Sequence, residues 1–154
     1  MRLRSSALDI SVNVICIIQL VGILVYLIAI WNSLPDQIPG HFNAAGEVTR
    51  FDGKGILLIM PIFACVMFAG FTLIERFPRI WNTGVKITEE NRLRVYRVIR
   101  SLLGATKLIT VSALIFATVF QSLSRNLPSW YLPVLFSLLT VTIVFSIIRL
   151  IRAR

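Results

Sequence analysis

The residues that could do chemistry gather in one stretch, Leu34 to Pro61 (LPDQIPGHFNAAGEVTRFDGKGILLIMP), the only long polar segment between two strongly apolar runs. It holds the single histidine, His41, with Asp36, Asn43, Glu47, Asp52 and Lys54 around it. An imidazole beside Asp36 or Glu47 is the material of a general base, which must come within hydrogen-bond reach of a nucleophile or water. Nothing in the spacing requires that pairing, so no catalytic residue is assigned and an enzyme is not the favoured reading. A metal site is disfavoured as well, because one imidazole with scattered carboxylates lacks the paired-histidine spacing of a zinc centre. No cofactor is expected. The competing reading is structural: Pro35, Pro39, Gly40, Gly46 and Gly53 suit a compact Ω-like loop whose His41 and Asn43 bond its own backbone. A rigid polar loop above an apolar body is also a docking surface. The recognition candidates are therefore Pro35, Pro39, His41, Phe42, Asn43, Gly46, Asp52, Lys54 and Pro61.

The elements that must position these residues are membrane spans. Of 154 residues, 56% are hydrophobic and 15% charged, and the mean hydropathy of +0.82 fits poorly with a water-facing surface. The expected fold is an all-α integral membrane domain of four transmembrane helices, a single unit over residues 1–154. Spans are expected at about 10–31, 55–74, 102–120 and 130–148, since ~20 apolar residues cross a hydrocarbon core of ~30 Å. Asn13 and Gln19 inside the first span suit interhelical hydrogen bonds, and Thr106, Thr110, Ala113 and Ala117 in the third form a small-residue packing stripe. Lys107 lies close enough to the basic end of its span to snorkel to the interface. Pro61, inside the second span, is expected to kink it. Cys16 and Cys65 both fall in apolar runs, as small buried hydrophobes rather than disulfide partners.

Between the second and third spans, residues 75–101 carry seven cations. Pro78, Trp81 and Asn82-Thr83-Gly84 carry turn and interface signals. Thr88 is the expected N-cap of an amphipathic helix, Glu89 and Glu90 lie in its first turn, and Leu93, Tyr96, Ile99 and Leu103 recur at helical spacing. That helix is expected at the membrane interface, running on into span three, with Arg92, Arg97 and Arg100 in the headgroups.

Charge sets the orientation. The net charge of +9 lies beside apolar spans rather than on a water-exposed reading face, so lipid headgroups and topology account for it better than nucleic acid. Twelve cations fall at the two termini and residues 75–101, against three in the other two loops. The positive-inside rule then predicts a plasma-membrane protein with both termini cytoplasmic and an extracellular loop at 32–54. The first apolar run is too long for a signal peptide and is expected to stay as a span.

The pattern LPxxIPxHFNxxG, then FxGK, then an apolar span with Pro61, resembles a bacterial membrane family, the domain of unknown function 1648. This domain also forms the amino-terminal part of SdpI-like immunity proteins. Pro78 through WNTGVKITEEN to Tyr96 looks like the family's cytoplasmic segment, which makes Pro78, Asn82, Thr88, Asn91 and Tyr96 motif candidates over a resemblance of roughly residues 20–107. What the resemblance implies is a bacterial membrane protein and, in full-length relatives, immunity to a secreted toxic peptide with signalling to a regulator. The further membrane domain of those relatives is expected to be absent here, so only the loop and the basic segment carry over.

The leading expectation is a non-enzymatic membrane protein whose outer loop recognises a peptide or lipid group and whose arginines engage headgroups or a regulatory protein. The alternatives are a small transporter subunit, for which Asp9 and Glu75 are the only acidic candidates near spans, and an enzyme on lipid-linked substrates with His41 as base. A partner in a larger assembly or a homo-oligomer would also suit the small-residue stripes.

Overall fold

The computed structural model describes residues 5–153. Four helical segments are long and apolar enough to cross a membrane. They are α1 (Ala7–Ile30) with a 3-10 turn to Ser33, α2 (Ile59–Glu75) with a 3-10 turn leading into it from Lys54, α3 (Arg92–Ser122) and α4 (Tyr131–Arg152). α1 starts three residues before the expected span because Ser6 caps it: its Oγ accepts from the Asp9 amide at 3.2 Å, and the Asp9 carboxylate accepts from the Ser6 amide at 2.8 Å. α3 is the centre of the bundle and packs against α1, α2 and α4. Its small residues allow this, with Ala117 and Thr118 buried. Gln19 and Ser112 exchange hydrogen bonds of 3.0 and 3.1 Å between α1 and α3. α4 leans on α3 through Tyr131, which donates to the Ala113 carbonyl at 2.8 Å and stacks on Phe116. Most of its apolar side chains, Phe136, Val141 and Phe145 among them, point away from the protein.

Three expectations about the helices are corrected. First, the amphipathic helix, which runs on into the third span as expected, begins at Arg92 and not directly after Thr88. α3 is one rod of 31 residues, about 46 Å at ~1.5 Å per residue, and its first turns extend past the end of α2. Val95 and Ile99 there pack with Ala153, Trp81, Val85 and Leu150, so Leu93 is exposed instead of inward-facing. Second, Pro61 is not in the interior of a continuous α-helix. Residues Lys54–Leu58 form a 3-10 turn, so Pro61 is the third residue of α2, in the first turn, where its missing N–H has no helical partner to lose. Third, Cys65 is exposed on the apolar surface; Cys16 alone is buried, and both thiols are free.

The polar stretch is more ordered than a loop, and the all-α expectation is corrected with it. Strands β1 (Gln37–Phe42) and β2 (Val48–Gly53) form an antiparallel hairpin. Its register slips twice, once on each side of His41. Gly40 sits at the first slip, where a Cβ would fall on the Asp52 carboxylate, as expected of a bulge that brings backbone and side chain close. Ile38 is fully buried in a cluster with Ile23, Leu27, Leu34 and Leu57, a burial that contributes about 1.5–3 kcal/mol. The hairpin is thereby seated on the end of the bundle.

Candidate functional site

Two polar constellations lie at opposite ends of the bundle. The first is the hairpin. Asn43 builds its tip: Oδ1 accepts from the amides of Ala45 and Glu47, both at 2.9 Å, and Nδ2 donates to the Glu47 carboxylate at 2.8 Å. Gly46 is buried at φ +85°, the left-handed region that favours glycine. The connection between α3 and α4 clasps this tip, the Leu127 amide donating to Gly46 O at 2.8 Å and the Val48 amide to Asn126 Oδ1 at 2.9 Å. From α3, the buried Gln121 Nε2 donates to Pro39 O at 2.6 Å. Lys54 lies over the Trp31 ring, 5.8 Å from its centroid, and its amide donates to Asp36 O.

His41 is exposed, and its Nδ1 lies 2.8 Å from Thr49 Oγ1. Among the described residues no carboxylate pairs with it. Glu47 is taken by Asn43 and Asp52 by Arg50 at 2.8 Å, so the geometry assembles no acid-base dyad. Of the recognition candidates, Pro39, Gly46 and Pro61 are buried supports, Asn43 organises the turn, and Pro35 is exposed. Phe42, Asp52 and Lys54 are half-buried. His41, Thr49, Arg50 and Phe51 are exposed on the two strands, the last 54%. Arg50 carried no motif signal, and Phe51 entered only as the first residue of FxGK; recognising β2 as a strand would have set Thr49 and Phe51 on one face and Arg50 on the other.

At the other end, the segment ahead of α3 bonds mainly to itself. Pro78 begins a 3-10 turn. Trp81 Nε1 donates to Ile74 O at 2.9 Å and meets Tyr96 edge to face at 5.8 Å. Asn82 Oδ1 accepts from the Gly84 amide, where φ is +64°. Thr88 and Asn91 exchange side chain to amide hydrogen bonds in the turn before α3, whose N-cap is Asn91 and not the expected Thr88, so Glu89 and Glu90 lie ahead of its first turn. Arg97 is exposed and Arg92 half-buried. Arg100, expected in the headgroups, is tied to α1 instead: Nε lies 3.2 Å from the Asp9 carboxylate, and Nη2 donates to Ser5 Oγ at 3.0 Å.

The largest departure from expectation is Lys107. Its side chain is 1% exposed and does not snorkel. Nζ donates to Glu75 at 2.9 Å, to Asn13 Oδ1 at 2.7 Å and more weakly to Thr72 Oγ1 at 3.4 Å, and the Phe68 ring lies 5.5 Å away. A buried ammonium needs this much compensation. Both carboxylates considered for ion coupling, Asp9 and Glu75, are thus paired with cations. Glu75 is the last residue of α2, and the packing of α2 on α3 turns it inward. Beside the pair, a cavity of about 550 Å³ opens among α1, α2 and α3, lined in part by Asn13, Thr72, Glu75 and Arg100.

Similar proteins narrow the family and not the activity. An uncharacterized protein of Archaeoglobus fulgidus is 35% identical over 81 residues, covering 44% of this chain and 44% of that relative. The chain therefore spans less than half the length of the relative it matches, and similarity to it extends beyond bacteria. No solved structure matches. The segment from Pro78 to Tyr96 lies outside the family match, which runs from the middle of α1 through the hairpin into α2. Residues 18–65 match the model of the family described as Domain of unknown function (DUF1648).

Proposed function

We propose that this multi-pass membrane protein is a non-enzymatic receptor of the plasma membrane that recognises a peptide or lipid group with the outward face of the hairpin, in a role related to immunity, resistance or signalling. One observation carries the reading: the hairpin is braced from three sides, by Ile38 in the core, Gln121 on Pro39 and Asn126–Leu127 at the tip. Bracing of this kind preorganises a surface, and what it presents is Phe51, Arg50 and His41, an aromatic with a cation beside it. His41 then serves as a contact, not as a base.

The test is binding of labelled membrane-active peptides to the full chain in nanodiscs, together with the sensitivity of expressing cells to the same peptides. Replacing Phe51 and His41 together by alanine is expected to remove both binding and any protection while leaving thermal stability unchanged, since both side chains are exposed. Equal binding by the wild type and the double variant would sink the proposal.

The hairpin faces outward in this reading, because Arg50, Lys54 and Arg125 are the only cations among the described residues in the loops at its end of the bundle. Arg2, Arg4 and Arg154, which contribute to the opposite count, lie outside the described residues. A membrane-impermeant maleimide on intact cells is expected to label Ala45→Cys and not Lys86→Cys; the reverse pattern turns the molecule over. Lys86 is preferable to Gly84 for this purpose, because Gly84 has φ +64° and a side chain there is strained.

A further inference from the structure

We propose that the cavity between the ends of α1, α2 and α3 binds the phosphodiester headgroup of an anionic membrane lipid. The argument begins with Lys107. An ammonium can only donate hydrogen bonds, and here it takes the acceptors of its neighbours: Asn13 Oδ1, Thr72 Oγ1 and the Glu75 carboxylate. Asn13 and Thr72 keep hydrogens to donate into the cavity they line, the Nδ2 hydrogens and the hydroxyl hydrogen. The polar lining is therefore poised to meet an acceptor.

Charge makes that acceptor an anion. Glu75 is matched by Lys107 and Asp9 by Arg100. Arg76 also lines the cavity, and no described residue pairs with its guanidinium. The cluster thus carries one cation in excess, which one phosphodiester would balance. A guanidinium suits this partner because its planar fork can donate two hydrogen bonds to a phosphate at once.

The remaining wall selects a lipid over a free ion. Phe77, 53% exposed, and Pro78 complete the lining directly after the apolar run of α2 ends at Glu75. At that depth hydrocarbon gives way to headgroups, so Phe77 would meet the glycerol and first methylenes while Arg76 holds the phosphate. The cavity volume of about 550 Å³ lies within the range of small-molecule sites, about 300–1,000 Å³. The inference rests on the placement of this helix end and not on the hairpin, so the two proposals fail separately.

The experiment is native mass spectrometry of the full chain in detergent, titrated in parallel with phosphatidylglycerol, phosphatidylcholine and inorganic phosphate. Phosphatidylglycerol is expected to be retained more strongly than phosphatidylcholine, whose choline cation opposes the excess charge. Arg76→Gln is expected to weaken phosphatidylglycerol binding about fivefold, equivalent to the ~1 kcal/mol of one cation near a membrane surface. Arg94→Gln, an equal charge change on the exposed face of α3, is expected to leave it unchanged. Equal losses in the two variants, equal retention of the two lipids, or displacement by millimolar inorganic phosphate would each overturn the lipid site. Arg76 is exposed, so its variant is expected to fold, and an unchanged melting temperature confirms that the comparison is fair.

Discussion

Glu75→Ala is expected to be the most damaging single substitution in the chain, lowering stability by about 3–5 kcal/mol because it leaves a buried charge without its partner. For a domain of this size that is a fall in Tm of about 10 °C, read by circular dichroism in detergent. The Lys107 side chain is 1% exposed, and its other partners, Asn13 and Thr72, are neutral. Lys107→Met is expected to cost less, since the carboxylate left behind lines the cavity and water can reach it there. The double variant Glu75→Gln/Lys107→Met is expected to recover most of the loss, because removing both charges also removes both desolvation penalties. A double variant no more stable than Glu75→Ala would show that the ion pair is not the source of the effect.

Gly46→Ala is expected to undock the tip of the hairpin. At φ +85° an alanine is strained, and its Cβ would lie 2.5 Å from the Leu127 carbonyl oxygen, backbone that cannot swing aside. The left-handed conformation alone costs about 1–2 kcal/mol, and the overlap adds about 1–3 kcal/mol. The chain can escape both by breaking the clasp between Gly46 and Leu127. The expected result is faster hydrogen exchange at the Leu127 and Val48 amides, whose acceptors are Gly46 O and Asn126 Oδ1, while the helices keep their protection. Gly53→Ala is the control: its φ is −59° and a Cβ there meets nothing within 4 Å. If the two glycine variants exchange alike, the clasp is not what holds the tip.

Both predictions concern features hard to read from the chain. In α1, Ser6 and Asp9 mark a helix start, and the apolar run beyond them is long enough to cross a membrane; such local signals need no tertiary context. The packing role of Gln19 followed from its place inside an apolar span. The hairpin was missed because Pro39 and Gly40 interrupt β1 and two slips around His41 break the alternation that would announce a strand. Its strands exist because α1, α3 and the 3-10 turn before α2 offer Ile38 and Pro39 a seat. Lys107 was read as snorkelling because, taken alone, a long stem near a span end reaches water at little cost.

By itself the sequence determined the class, the four apolar helices and the family resemblance of residues 18–65, because hydrophobic length and a local motif are properties of the chain alone. Tertiary structure decided which polar groups became partners: Glu75 with Lys107 across 32 positions, and Gly46 with Leu127 across 81. The physical reason is that a buried charge or amide must be satisfied by whatever group packing brings near it. That choice is made by helices meeting in space, and no spacing along the chain encodes it.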